Sequence, residues 1–596
     1  MNISRIIIMV CAMPLFLVAQ QTQLEEVVVS SPRIELPFKE NSRTITVITS
    51  QDIVESSATT LIDVLRFQAG IDLRSRGMQD TQTDVYIRGG GFDQVLLLID
   101  GIKVDDPQTG HHTLNSIIPL AMIERIEIVK GAAARIFGQN AFTGAINIIT
   151  KKQATKSLQT TLSRGAFDYR KAAAQWMTDG EKSHHAFYVE SVESDGYRYN
   201  TDFYNQNYLW HATWNKRNLP INMIATFANR HFGANGFYAT PENRDQYEAT
   251  QSSLLGFSTH LVFENWVFKP KLYWKRGQDE YVFIRHNPSV YRNLHITDKL
   301  GSEVNVTNTN KWGTTGFGLE LASVAIQSNN LGQRDRTILH GYFEHRFVSG
   351  SLDITPGFAI SNYSDQNTFF YPGLDIGWQL SSGVRLYANS GYTFRIPTYT
   401  DLFYSDRSTQ GNPDLDPEKA LTTEVGIRVP GNKFQLQAAL FHRDNQDYID
   451  YVKFTEDGLW QATNIDRIES VGGELDLQFV YGQDHKIQLS YAYLEDDVDG
   501  ISASISRYAI NSLQHHVNLG LTHRWSKELR SSIAYRYAER ETGSHYTLVN
   551  ASLSYDTEDY SFRLIGNNIF NEAYSEQNLV PMPKGHAMLE FTYRFH

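Results

Sequence analysis

The chain has 596 residues, 41% of them hydrophobic, and a formal net charge of -12. That charge argues against a nucleic-acid partner, whose phosphates need a basic surface. It contains no nucleophile elbow, phosphate loop or zinc-spaced histidine pair, so nothing points to an enzyme.

Residues 1–19 read as a secretory signal peptide, with Arg5 near the start, an apolar run from Ile6 to Val18, and the small Ala19 before polar QQTQ. The run is too short to span a bilayer with ease; an N-terminal anchor is the alternative. Cys11 is the only cysteine, so the exported chain would carry no disulfide. LEEVVVSS, residues 24–31, favours an extended chain through its β-branched valines. It is isolated, because a polar segment from Ser30 to Ser42 separates it from the next strand, TITVIT at 44–49.

Residues 43–152 mix helix and strand. TSQDIVESS and TTLIDVLRFQAG read as two short helices, with Thr60 as N-cap, Asp63 in the first turn and Gly70 as a stop. VYIRGGG, QVLLLIDG, ERIEIVKG and AINIITKK read as strands ending in glycine or lysine pairs. This is an α+β domain.

Residues 153–596 switch to long strands of period 2. In ELDLQF, Leu475, Leu477 and Phe479 share one face, and Glu474, Asp476 and Gln478 the other. KIQLSYAYL and KFQLQAAL alternate similarly. A soluble sandwich also alternates, but the connections discriminate. Every second one is short, as at 348–350, 430–432 and 526–528, and most of the others are long, as at 396–420 and 571–585. Short turns on one side and long loops on the other mark an outer-membrane barrel. The expected fold is therefore an all-β transmembrane barrel of about 22 antiparallel strands, with the N-terminal α+β domain as a plug inside the lumen. Abundant Tyr and Phe suit interfacial girdles in outer-membrane lipid.

Three plug segments carry a family resemblance: DVLRFQAGIDLRSRG (63–77), VYIRGGGFDQVLLLIDGIKVDDP (85–107) and IERIEIVKGAAARIFGQNAFTGAINIITK (123–151). Together with FRIPTYTDLF (394–403), GNPDLDPEKALTTEVGIR (411–428) and NNIFNEAY (567–574), they resemble TonB-dependent outer-membrane receptors over nearly the whole chain. One departure is the C-terminus, where His596 follows the terminal aromatic Phe595.

The resemblance implies a monomeric importer in the outer membrane, driven through TonB by the inner-membrane proton gradient. Glu25, Glu26, Val27, Val28 and Val29 resemble the TonB box, which adds as a strand to a sheet edge of that partner. Residues 20–42 would then be box and linker. The alternative for the valines is a plug strand paired at home. A passive porin or surface adhesin is the other functional class.

The cargo the resemblance implies is a small metal chelate, first an iron–siderophore complex, with cobalamin as the alternative. Haem falls behind both, since residues 394–415 hold no histidine, and Tyr399 and Tyr404 are the nearest substitutes. Two plug segments, 72–83 and 103–116, should face outward under the family layout. They supply the ligand candidates Arg74, Arg76, Asp80, His111 and His112. Arg88, Glu127 and Arg135 are expected to pair plug with barrel. No cofactor is expected beyond loop Ca2+ at EDDVDG (495–500), should the ligand be cobalamin.

Overall fold

A computed structural model of the protein describes residues 28–29, 34–78, 81–115, 118–152, 156–216, 219–238, 242–380, 383–482, 485–499, 505–508, 511–577 and 579–595. The expected signal peptide, Glu25 to Val27 and Asp80 lie outside the described residues.

In chain order the N-terminal unit comprises β1 (Val28–Val29), β2 (Leu36–Pro37), β3 (Ile45–Thr49), α1 (Ser50–Glu55), α2 (Leu61–Arg66), β4 (Ile71–Ser75), β5 (Thr83–Ile87), β6 (Val95–Ile99), β7 (Ile102–Lys103), β8 (Ile123–Lys130), α3 (Ala134–Phe137) and β9 (Gly144–Thr150). Five strands form one sheet in the order β3-β8-β9-β6-β7, so β3 lies at an edge and bonds to β8 alone. Strand β6 runs parallel to β9, and its VLLLI run is buried throughout, as a parallel strand covered on both faces requires. Burial of each leucine contributes about 2 kcal/mol. Both expected helices form behind reciprocal capping boxes, Thr49 with Asp52 and Thr60 with Asp63. The second is shorter than its sequence pattern and ends at Arg66. Gly70 then turns the chain at φ 68° into β4.

Strands β4 and β5 form a separate two-stranded sheet. Every residue of β4 is buried, so Asp72 to Ser75 lie inside the barrel and not at a solvent-exposed surface.

The remaining chain is a closed antiparallel barrel of 22 long strands. Its first strand, Ser157–Gly165, pairs with its last, His586–Phe595, placing Leu158 opposite Phe595. The period-2 reading holds side by side with burial. In strand Gly313–Ser328, Phe317, Leu319 and Leu321 are exposed on the outer face while Glu320, Ala322 and Val324 are buried inward. At the short-turn end, Trp266, Trp312, Trp378 and Trp525 stand exposed on the outside, as an interfacial aromatic girdle demands. No described helix is long and apolar enough to cross a membrane. The plug's N-terminal segment lies at the short-turn end, where Arg346 pairs with Glu40 at 3.1 Å and Lys269 with Glu35 at 2.6 Å.

The acidic run 495–499 is the end of strand His485–Asp499 and not a loop. Its alternation buries Asp496 and exposes Glu495 and Asp497, so the carboxylates point to opposite faces. Among the described residues no group of three His, Cys, Asp or Glu is arranged to hold a metal ion.

Candidate functional site

At the long-loop end the plug and barrel enclose a cavity of about 1190 Å³. The plug supplies its floor through Phe92, Asp93, Gln108, His111 and His112. One wall comes from strands Tyr247–Thr259, Trp266–Val282 and Arg292–Asn310, which contribute Glu248, Asp279, Tyr281 and His295. The facing wall carries Tyr404, Tyr451, Lys453, Trp460, Arg507 and Tyr508. Aromatic rings thus stand on the floor and on both walls, with carboxylates at depth and cations on one side.

Loop 396–417 is held by its own capping chemistry. Thr398 and Asp401 form a capping box on α4 (Tyr399–Phe403). The start of that helix is bonded straight to the plug, Tyr399 N–H to Pro107 O at 3.0 Å and Thr400 N–H to Gln108 O at 3.1 Å. A ligand that moves this loop therefore pulls on the plug directly.

Three of the expected ligand residues meet at the cavity. His111 stacks on Phe92 with centroids 4.0 Å apart, and its Nδ1 lies 2.6 Å from Asp84. Burial depresses His111 below its ordinary value, although Asp84 opposes this. His112 Nε2 lies 3.3 Å from Asp279. Burial would depress it too, but the Asp279 carboxylate outweighs that and holds it up at about 9. Tyr404 donates to Asp406 at 3.0 Å and lies 3.1 Å from the hydroxyl of Tyr291.

Three others stand away from the cavity wall. Arg74 is 2% exposed, bonds Asp72 at 2.8 Å and lies over the Tyr86 ring at 3.8 Å. Arg76 is 1% exposed and pairs with Asp84 at 2.9 Å across the β4–β5 hairpin. Tyr399 is buried against Ile326 and Leu331 beneath Arg336. The arginines are neutralised inside the plug, because two charges with no water nearby must find each other.

Wall residues that sequence reasoning missed carry unmet bonding capacity. Asp279 Oδ1 and Glu248 Oε1 accept no hydrogen bond among the described residues, and neither does Tyr451 Oη. Their other oxygens are engaged, Asp279 Oδ2 by Gln108 at 3.3 Å and Glu248 Oε2 by Tyr238. Asp93 is buried beside Arg395 at 3.8 Å; burial, with Asp401 nearby, pushes it up to about 7 despite that cation. Glu248, Asp279 and Tyr451 sit near the ends of strands far apart in the chain, so no local pattern joins them.

Below the cavity the plug is fastened to the wall. Arg88 bonds Glu424 at 2.6 Å and Glu474 at 2.9 Å, and Lys130 reaches Glu474 at 3.0 Å. Arg135 pairs with Asp375 at 2.7 Å and Glu344 at 3.5 Å. Glu127 has an ion pair with Arg125 of the plug itself, at 2.8 Å.

At the opposite end, Val28 and Val29 pair antiparallel with Pro37 and Leu36. Val29 is fully buried against Ile45, Leu96, Leu98 and Val129. The described part of the valine stretch is therefore paired at home, but by a ladder of two residues whose partner Pro37 has no N–H to give.

Comparison with known proteins places this architecture. Residues 37–145 match the family described as "TonB-dependent Receptor Plug Domain", and residues 152–569 match "TonB dependent receptor-like, beta-barrel". The chain is 24% identical to the vitamin B12 transporter BtuB of Photobacterium profundum, over 97% of this chain and 96% of that one. It is 25% identical to the protein of that name from Vibrio vulnificus, over 94% and 93%. Among solved structures, the siderophore receptor PirA from Pseudomonas aeruginosa superposes with TM-score 0.75 at 17% identity, over 94% of this chain and all of that one. The FrpB iron transporter from Neisseria meningitidis gives 0.78 at 15%, over 93% and 100%. With both of its regions matched in order, and with the plug seated in a 22-strand barrel, the chain belongs to the TonB-dependent receptors.

Proposed function

We propose that this receptor imports a bulky, near-neutral metal chelate with hydrogen-bond donors on its rim, of the cobalamin class. The observation that carries this is a pair of carboxylates on the cavity wall. Asp279 Oδ1 and Glu248 Oε1 are buried acceptors without partners, which amide donors would satisfy and a polyanion would leave worse off. The broad aromatic lining suits a flat macrocycle. The plug arginines that would have favoured an anionic ferric siderophore are engaged with Asp72 and Asp84. Two curated relatives that span the chain carry the name vitamin B12 transporter.

An anionic ferric siderophore, the first expectation from sequence, is the second reading. Lys453 and Arg507 on one wall, beside the Trp460 ring, favour it. Energy would come through TonB at residues 25–29, after export by the signal peptide, with the receptor acting as a monomer. Equilibrium binding to the purified receptor separates the two ligands. Cyanocobalamin should bind at nanomolar concentration, and Asp279→Asn should weaken it about tenfold. A ferric triscatecholate that binds tighter than cyanocobalamin would reverse the order.

A further inference from the structure

Part of the cavity wall is borrowed from a long loop. Residues Ile505–Ser506 add to the long-loop end of strand Phe434–Lys453, with Val452 opposite Ser506 and Lys453 opposite Ile505. Beyond this ladder, Arg507 N–H bonds Tyr451 O at 3.0 Å. So short a pairing is marginal by itself. Yet it carries two residues of the cavity wall, Arg507 and Tyr508.

Asp450 adds to what the ladder gives. It lies on the same strand, is 1% exposed, and does not itself line the cavity. Its Oδ2 accepts the Ser506 hydroxyl at 2.5 Å, and both of its oxygens accept the Tyr508 N–H at 3.2 Å. Bonds to a carboxylate are about twice as strong as those between neutral groups. One buried side chain thereby holds the backbone on either side of Arg507.

The ring held in this way reaches the plug. Tyr508 meets Phe92 edge-on, with centroids 5.1 Å apart and planes at 82°, and lies 6.1 Å from His111 and 6.5 Å from Tyr451. Phe92 and His111 are the stacked pair of the cavity floor. A tyrosine has two side-chain torsions, so fixing its backbone leaves the ring few places to go.

We propose that Asp450 is a positioning residue for the ligand. It does not touch the chelate; it sets affinity from behind the wall, by holding the Tyr508 ring against Phe92 and His111. This rests on the reading of the cavity as the ligand site. Asparagine at 450 can do much of the same work. Its oxygen accepts the Tyr508 N–H, and its NH2 donates to the Ser506 hydroxyl, which reverses its own role. Alanine can do neither.

Equilibrium binding of cyanocobalamin to the purified full-length receptor tests this, with a double-mutant cycle to show that Asp450 acts through Tyr508. Asp450→Ala should weaken binding about tenfold, and Asp450→Asn by no more than about threefold. Tyr508→Ala should also weaken it about tenfold, and the double variant should be within about twofold of Tyr508→Ala alone. An unchanged Asp450→Ala or Tyr508→Ala, an asparagine as damaging as alanine, or two losses that multiply would each overturn the proposal. If Asp450→Ala does not assemble a barrel, Ser506→Ala replaces it. That variant removes one of the donors and should weaken binding about threefold, an effect that disappears in the Tyr508→Ala background; no effect, or one that persists there, overturns the proposal. Amide exchange without ligand gives an independent measurement. The Tyr508 amide should exchange about tenfold faster in Asp450→Ala, or in Ser506→Ala by about threefold, with strand Leu352–Tyr363 unchanged. Unaltered exchange at Tyr508 overturns the hold. A native receptor that binds no cyanocobalamin refutes the ligand reading, while the exchange measurement still decides whether Asp450 holds Tyr508.

Discussion

Arg88 shows how a single side chain can hold two bodies together. It forms two carboxylate pairs, is 4% exposed, and covers the Phe441 ring at 4.2 Å. Arg88→Ala would leave Glu424 and Glu474 buried with less compensation, a loss of about 3–5 kcal/mol. The expected result is a plug that trypsin clips at much lower protease concentration within an intact barrel. A proteolysis profile unchanged from the native one would show that other contacts seat the plug. His112 gives a pH signature with a definite sign. Its pKa is raised by Asp279 to about 9, so the pair stabilises the folded plug fully below about 6.5, its unfolded value. That contribution is lost as pH rises through about 9. Amide exchange in residues 109–115 should accelerate over this window beyond the intrinsic rate, and His112→Gln should remove the excess. Arg88 and Arg135 were legible because their motifs resemble the family's. The pairing of Arg74 and Arg76 with Asp72 and Asp84 was hard to see, because an arginine looks the same in sequence whether its carboxylate belongs to a ligand or to its own hairpin. The clue was present: Asp72 and Arg74 share a strand face, and Asp84 stands opposite Arg74 in register.

The elements were read best where local chemistry decides them. The second helix start followed from Thr60 and Asp63, and the same Thr-x-x-Asp box starts the first helix at Thr49 and sits in TYTD at 398–401, inside a long loop. Thr398→Ala removes that cap, at a cost of about 1 kcal/mol. Because α4 bonds the plug at Pro107 and Gln108, the loss should weaken ligand binding about fivefold, read by isothermal titration. Unchanged affinity would separate the loop from the site. The β4–β5 hairpin escaped the sequence reading because its polar residues look solvent-facing; in a polar lumen the wall takes the place of solvent. Arg540 and Arg536 of the barrel lie around it, the first on Asp72, the second on Glu576 at 3.3 Å.

At the scale of the molecule, alternation with unequal loops was enough to specify the barrel, since those features are repeated in strand after strand. The cavity was not legible, because its walls come from residues as far apart as Phe92 and Tyr508, joined only by closure of the cylinder. Under the proposed import reading, the valine stretch would link this fold to its energy supply. Val28 and Val29 rest on a two-residue ladder, so little backbone bonding opposes their release to a stronger edge. Val28→Pro removes a backbone donor and should impair uptake while leaving the folded barrel and its ligand affinity unchanged; normal uptake would make the segment an ordinary linker. The most direct measurement is uptake of labelled cyanocobalamin by cells carrying the receptor with residues 25–29 deleted. The account predicts surface binding within twofold of the native receptor and no accumulation inside. Accumulation that survives the deletion, or that continues in native cells after the proton gradient is collapsed, would contradict energised import.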